Sequence, residues 1–315
     1  MGFIKNKFLS SMGRQEEKPY LVYFRLSHCP GLNAEPYSFK SNEITLNGYF
    51  YHYDKYNKDV IVIFCHGIGG GHSSYLKEIN ELAKMGYNVL AYDNTGCVNS
   101  EGDSILGLSN SLKDLDYAIQ SLRNDEEYQN KKIYVIGHSW GGFAASNIPN
   151  YQNVDKIIAI SPFISLSSEY HYLFKGPLGL IVSRLIKYEK ESVGKWATST
   201  AIEALNKENI KGLIIHSKDD KTVPYKKNSG VLQGKIKNPN IKYYIVDGKG
   251  HHPHYTKEAA DYFDEVFSNY DKGLRNKTLS SQESLFNYFK DKDFDKMTIQ
   301  DPVVWKVIED FLKRD

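Results

Sequence analysis

The stretch IGHSWGG (136–142) places a serine between glycines directly after a run of β-formers, KKIYVI. A serine presented at a sharp strand-to-helix turn is a nucleophile once a base takes its proton; outside that frame the same residues make only a tight polar turn. The glycines act sterically, because the turn closes only if the residues two positions from Ser139 lack bulk. The helix-like GGFAASNI that follows completes the frame and makes Ser139 the candidate nucleophile.

A hydroxyl needs a base, and the base needs an acid to orient it. Beyond the apolar run KGLIIHS comes KDDKTVP with Asp219 and Asp220, and beyond IKYYIV comes DGKGHHPHY with His251 and His252. Residue type alone leaves both aspartates and both histidines open. In chain order these candidates run serine, aspartate, histidine, each just past a buried strand. The oxyanion formed on the attacked carbonyl needs donors as well. FCHGIGGG (64–71) ends an early strand in a glycine-rich loop, so the backbone N–H groups of Ile68 and Trp140 are the expected donors. A phosphate cradle is a poorer reading, since GIGGGH lacks both the GK[ST] ending and the G-x-G-x-x-G frame.

The elements that must hold these residues are six short apolar runs: VIVIFC (60–65), NVLAYD (88–93), KIYVIG (132–137), KIIAIS (156–161), KGLIIHS (211–217) and IKYYIV (241–246). Such runs suit strands buried on both faces. Helical spacing of Leu112, Leu115, Ile119 and Leu122, and SSYLKEINELAKMG closing on Gly86, put helices between them, which predicts a mostly parallel, doubly wound sheet. PYSFKSNEITLNGYFYHYDKYNKD upstream reads as an antiparallel ribbon. The interval between KIIAIS and KGLIIHS is too long for a simple crossover and is expected to hold an inserted helical cap. A surplus segment near 253–300 precedes a final amphipathic helix, DPVVWKVIEDFLKR.

Bulk properties exclude several classes. Forty basic and 38 acidic residues leave a net charge of +2, so neither polyanion binding nor membrane attraction is indicated, and lysines and tyrosines in the C-terminal half are interleaved with acids. Three scattered cysteines, Cys29, Cys65 and Cys97, form no disulfide framework or CxxC pair, which suggests a reducing, cytosolic compartment. Cys65 reads as a small core residue. No run nears the roughly 20 apolar residues of a membrane span, and the N-terminus has no secretory signal; Phe3, Ile4, Phe8 and Leu9 could line a short docking helix. His251, His252 and His254 could hold a metal, but Pro253 and their tight spacing make three-point coordination awkward, and no cofactor or metal is expected. Tyr170, Tyr172 and Tyr188 in the inserted segment could line a pocket or simply cover a helix.

HGIGG, AYDNTGCVNSEG, GHSWGG, HSKDDKTVP and GKGHH, in that order over roughly residues 45–255, together resemble the α/β-hydrolase superfamily, in particular its bacterial serine esterase and aminopeptidase-like S33-type branch. The resemblance implies an α/β-hydrolase fold with a mostly parallel central sheet flanked by helices and a small helical cap. It selects Asp220, three residues before the valine of D-x-x-V-P, and His251, after G-x-G. It implies that His66 hydrogen-bonds within the oxyanion loop. One departure is Val98 in DNTGCVNS, where the family carries a second glycine, and this questions the shape of a bracing loop. The expected organisation is an extension over 1–36 and a hydrolase domain over 37–315, with a cap at about 163–205 and an extra helical segment at about 253–300. The expected activity is hydrolysis of a small or medium-sized carboxylic ester through an acyl-enzyme, with a small-molecule or peptide-like substrate and no nucleic-acid partner. Peptidase, lipase-like or acyl-transfer chemistry on the same residues, and a non-catalytic binding protein on the same fold, are the alternatives.

Overall fold

Three strands in succession and then strands alternating with α-helices, eight strands in all, make up residues 12–174 and 176–314, the part of the chain that the computed structural model describes. The apolar positions Phe3, Ile4, Phe8 and Leu9 lie outside it. The strands are β1 (Asn33–Ser41), β2 (Ile44–His52), β3 (Asn57–Cys65), β4 (Tyr87–Tyr92), β5 (Lys132–His138), β6 (Lys156–Ile160), β7 (Lys211–Ser217) and β8 (Ile241–Val246). The first helices are α1 (Leu76–Lys84), α2 (Asn110–Asn124) and α3 (Trp140–Asn147). Between β6 and β7 come α4 (Leu166–Leu173), α5 (Val182–Val193) and α6 (Ala201–Leu205), and after β7 comes α7 (Ser229–Lys235). The chain ends in α8 (Lys257–Arg275), α9 (Gln282–Phe289), α10 (Phe294–Met297) and α11 (Pro302–Lys313).

Side-chain alternation explains why the central strands read as continuous apolar runs. In β3, Ile61, Ile63 and Cys65 join one core while Val60, Val62 and Phe64 join another; in β5, Ile133 and Val135 oppose Tyr134 and Ile136 in the same way. Helices α2 and α3 cover the first face through Leu112, Leu115 and Phe143. Helices α1 and α11 cover the second through Ile79, Leu82, Trp305 and Ile308. With both faces dry, period-2 residues are apolar in both phases.

The sheet order is β1-β2-β4-β3-β5-β6-β7-β8. The β1–β2 hairpin is antiparallel and joins the sheet antiparallel to β4; every other pairing is parallel. The order reverses direction at β3, and open α/β sheets bind ligands outside the carboxyl ends of strands at such a point. Pairing of Cys65 with Gly137 brings the ends of β3 and β5 level.

The residues before β1 are woven into this end of the sheet. Gln15 pairs with Cys97 and Gly13 with Ser104 as isolated bridges, and the Arg14 guanidinium donates to the carbonyls of Val98, Ser100 and Gly102. Strand β1 itself begins at Asn33, inside the stretch read from sequence as an extension. Val98 adopts φ 35° while its N–H donates to Gln15 O at 2.9 Å. The left-handed backbone that a glycine would take easily is thus kept by a β-branched residue pinned on both sides, at a cost of order 1–3 kcal/mol.

The β6–β7 interval docks through buried apolar residues such as Leu166, Val182 and Leu185 and through polar contacts. Glu189 of α5 accepts from Ser109 N–H at 2.7 Å and from the Tyr170 hydroxyl at 2.8 Å, and the Trp196 indole donates to Asp116 at 2.9 Å. Tyr172 donates to Lys221 O in the loop after β7. Helices α8 to α10 bury Val266, Tyr270, Phe289 and Met297 together with part-buried aromatics. The three cysteines are buried and unpaired, and burial pushes the Cys65 thiol well up, as suits a core residue. Among the described residues no helix is long and apolar enough to cross a membrane.

Asp114 of α2, fully buried, ties the hairpin to the loop after β4. It accepts from Ser41 Oγ at 2.6 Å, Thr95 N–H at 2.7 Å, Thr95 Oγ1 at 2.9 Å and Asn110 Nδ2 at 2.9 Å. Asp114→Ala strands four buried donors and should lower stability by about 3 kcal/mol or more, read as a fall in urea midpoint at unchanged slope. Asp114→Asn, which keeps one acceptor oxygen, should fall between the two.

Candidate active site

Ser139 follows β5 and precedes α3 with φ 57° and ψ −113°, a conformation a non-glycine residue adopts only under constraint. The glycines around it remove what would otherwise block the turn. A Cβ on Gly137 would lie 2.2 Å from Gly141 O, one on Gly141 2.0 Å from Cys65 O, and one on Gly142 2.7 Å from Ile160 O. The Ser139 N–H donates to Ile160 O at 2.8 Å, extending the β5–β6 register into the turn.

Asp220 and His251 meet at the ends of β7 and β8. His251 Nδ1 is 2.8 Å from Asp220 Oδ2, and the other Asp220 oxygen accepts from the N–H groups of Thr222 and Val223 at 2.8 and 2.9 Å. His216, which sequence reasoning passed over, approaches the same Oδ2 through Nε2 at 3.1 Å and Val223 O at 2.8 Å. With two acceptors before it, His216 Nε2 carries the proton, and Nδ1 faces Ser229 Oγ at 2.7 Å. Burial alone would raise the Asp220 pKa, but hydrogen bonds from His216 and His251 outweigh it and hold the carboxyl well below its ordinary range. With Nδ1–H of His251 committed to that carboxylate, Nε2 is left as the basic atom.

The neighbouring candidates are placed elsewhere. Asp219 makes no bond to His251; it accepts from Ser217 Oγ and from the N–H groups of Gly248, Lys249 and Gly250, bracing the turn that leads to His251. His252 stacks on Tyr255 at 4.8 Å and contacts Phe263, and burial, with the nearby His138, His251 and His254, holds its pKa well below the ordinary value. His254 is buried with Nε2 3.1 Å from Glu78. Among the described residues, no group of three or more histidine, cysteine or acidic side chains is arranged to hold a metal.

A buried clamp joins these loops. His138, immediately before Ser139, points Nε2 at the carbonyl of His251 at 2.8 Å, and Ser161 Oγ donates to the same carbonyl at 3.1 Å. The Nε2 proton of His138 is therefore fixed, so its Nδ1 accepts from the Tyr75 hydroxyl at 2.9 Å. That hydroxyl sits where a Cβ on Gly67 would be, 2.3 Å away. Burial, then the His251 and His254 rings, holds the His138 pKa well below the usual histidine value, in keeping with a neutral ring. The histidine within GHSWG was the only sequence signal of this clamp.

The loop after β3 is held from behind. His66 donates from Nδ1 to Gly67 O at 2.7 Å and accepts at Nε2 from Asn94 N–H at 3.1 Å. Asp93 accepts from His72 N–H and Nδ1 at 2.8 and 2.7 Å and from Asn99 N–H at 3.1 Å. Trp140 opens helix α3, so its N–H has no acceptor inside the helix. Ile68 N–H makes no backbone hydrogen bond within its loop. Ser139 Oγ makes no hydrogen bond to a protein atom among the described residues, His251 included; such bonds commonly tighten only with substrate in place.

Residues 56–190 match the sequence model of the serine aminopeptidase family S33. The chain is 28% identical over 158 residues to a proline iminopeptidase of Saccharolobus solfataricus, a match covering 48% of each protein. It is 25% identical over 226 residues to the Bacillus subtilis protein YqkD, covering 67% of this chain and 71% of that one. The iminopeptidase match thus spans about half of that relative's length. In three dimensions the chain superposes on the Pyrococcus furiosus esterase Pf2001 with a TM-score of 0.58 at 20% identity, covering 85% of this chain and 97% of the esterase, a likeness of fold. Sheet order and this likeness give the chain an α/β-hydrolase fold, and within it residues 56–190 are similar to the serine aminopeptidase family S33.

Proposed function

We propose that the protein is a serine hydrolase that cleaves a carboxylic ester of small or medium size through an acyl-enzyme. The observation that carries this reading is the Asp220–His251 pair beside a serine held at φ 57° in a glycine-lined turn. Ser139 attacks the carbonyl while His251 Nε2 takes its proton, and Asp220 keeps the tautomer and stabilises the imidazolium. The N–H groups of Ile68 and Trp140 receive the developing oxyanion, and His251 returns the proton to the leaving oxygen. Water then attacks the acyl-enzyme with His251 again as base. The helices between β6 and β7 are read as the cap that controls entry.

The residue assignments are tested together. A fluorophosphonate probe should add once to the wild type and not to Ser139→Ala, as read by intact mass. Asp220→Asn should lower kcat on p-nitrophenyl acetate by about 10⁴, the cost of the wrong histidine tautomer. Asp219→Asn, which weakens only the turn before His251, should cost much less; the reverse order would reject Asp220 as the acid.

A second reading, cleavage of a residue with a free amino group, is favoured by one side chain. Glu169 on α4 is 7% exposed, and its Oε2 is buried without a partner. Burial and, secondarily, the negative charge of Asp220 push its pKa up to about 7. A buried, unpaired carboxylate close to the proposed acid is complementary to a substrate ammonium, and the Saccharolobus relative is named a proline iminopeptidase. Below pH 7 Glu169 is mostly neutral and above it charged. The KM for L-proline p-nitroanilide should therefore fall as pH rises through about 7, and Glu169→Gln should remove that dependence. No turnover of the anilide at any pH would leave the esterase reading alone.

A further inference from the structure

A cavity of about 300 Å3 opens against Gly67, Ile68, Gly69 and Gly70, the loop that carries one of the two proposed oxyanion donors. His252, next in the chain to the proposed base, forms a second wall. Ser74 and Tyr75 add to the wall near that loop, and further walls come from outside the part of the chain matched by the family: Leu21 from the segment before β1, and Phe263, Phe267 and Tyr270 from helix α8. Those two outlying segments are bonded to each other. Tyr20 stacks on Phe289 with ring centroids 5.5 Å apart, and its hydroxyl lies 3.1 Å from that of Tyr270.

Two observations suggest a ligand. Ile68 and Val22, both cavity-lining, leave 50% and 51% of their surface exposed in a wall that is otherwise largely aromatic. The Nδ1 atom of His252, another wall residue, is buried with no hydrogen-bond partner. An apolar body would cover the exposed Ile68 and Val22, and a polar atom on it could pair with His252 Nδ1 only if that ring turned toward the cavity.

We infer that this cavity receives an apolar group of the substrate, a ring or short chain attached to the carbonyl that Ser139 attacks. Substrate preference is then set by the segment before β1 and by helix α8, not by the helices between β6 and β7. The inference rests on the serine-hydrolase reading above. Ser139, Trp140 and His251 do not line the cavity, but Ile68 does, so a group attached to a carbonyl bonded by the Ile68 N–H is within reach of it. Each methylene it buries there raises kcat/KM by roughly fourfold. The rival location is the exposed apolar surface of the β6–β7 segment, where Leu173 and Leu180 are 55% and 83% exposed.

The test measures kcat/KM for p-nitrophenyl acetate and hexanoate, which vary the acyl side, and for methyl and phenyl acetate, which vary the alcohol side. Leu21→Trp, which fills the cavity, should lower the hexanoate-to-acetate ratio or the phenyl-to-methyl ratio at least tenfold, and the ratio that moves identifies the group bound. Phe267→Ala, which enlarges it, should move the same ratio upward. Binding is read separately by calorimetry of p-nitrophenyl hexanoate and phenyl acetate with Ser139→Ala. Adding Leu21→Trp should weaken one of them at least tenfold. Both ratios and both affinities unmoved would overturn the inference, as would a shift produced by Leu173→Ser with Leu180→Ser instead. Failure of the wild type to react with a fluorophosphonate rejects the hydrolase reading by itself, and the calorimetric arm still decides the cavity.

Discussion

No side chain separates helix α3 from strands β3 and β5 where the three meet, and the candidate site depends on that contact. Gly137 and Gly141 face each other so closely that a Cβ on either would sit within 2.2 Å of a backbone oxygen, and Gly141 touches the carbonyl of Cys65. The close approach puts the first turn of α3, with its unpaired N–H groups, beside the loop that leaves β3. The two donors proposed for the oxyanion, Ile68 and Trp140 N–H, belong to these two neighbouring segments. The backbone strain at Ser139 is tolerated because both flanks are packed, with α3 on one side and the Ile160 carbonyl on the other.

Around this contact the loops are fastened by imidazoles of fixed tautomer. His138 holds the carbonyl of His251, Tyr75 holds His138, and His216 and His251 share one oxygen of Asp220. The tautomers of His138 and His216 are set by the atoms opposite their nitrogens, and the Asp220 carboxylate places the proton of His251 on Nδ1, leaving Nε2 for the proposed base role. A neutral, buried His138 next to Ser139 also keeps positive charge away from the proposed base, because its pKa lies well below the physiological range.

Carboxylates brace the same loops from outside. Asp93 fastens the loop after β4 to the turn before α1, Asp114 fastens it to the hairpin, and Asp219 closes the turn before His251. The segment before β1 then lies over the loop after β4 through Arg14 and Gln15 and packs its aromatics against helix α9. The parts of the chain with the least recognisable sequence therefore line, with the glycine-rich loop after β3, the cavity beside it.

The sequence alone determined the alternation of strands and helices, the antiparallel ribbon ahead of them and the strained glycine turn at Ser139. Those features rest on local rules: residues buried on both faces are apolar in both phases, and a turn that admits no Cβ demands glycine. The neighbourhood of the acid and the base was legible for the same reason, since both follow buried strands. Residue type alone left Asp219 and Asp220 open, because they differ by one position and only the direction each side chain takes off β7 separates them; Asp220 was selected by the family resemblance, and it is the one that bonds to His251. Ser161, Tyr75 and Glu169 left no periodic or motif signal, since their partners lie on other elements, and His216, though it opens HSKDDKTVP, carried no sign of its bond to Asp220. The left-handed Val98 was legible as a departure, but that the loop keeps its shape was decided by hydrogen bonds from residues more than eighty positions away. The cavity wall is likewise a product of tertiary structure, assembled from two ends of the chain that become neighbours only when the sheet has formed.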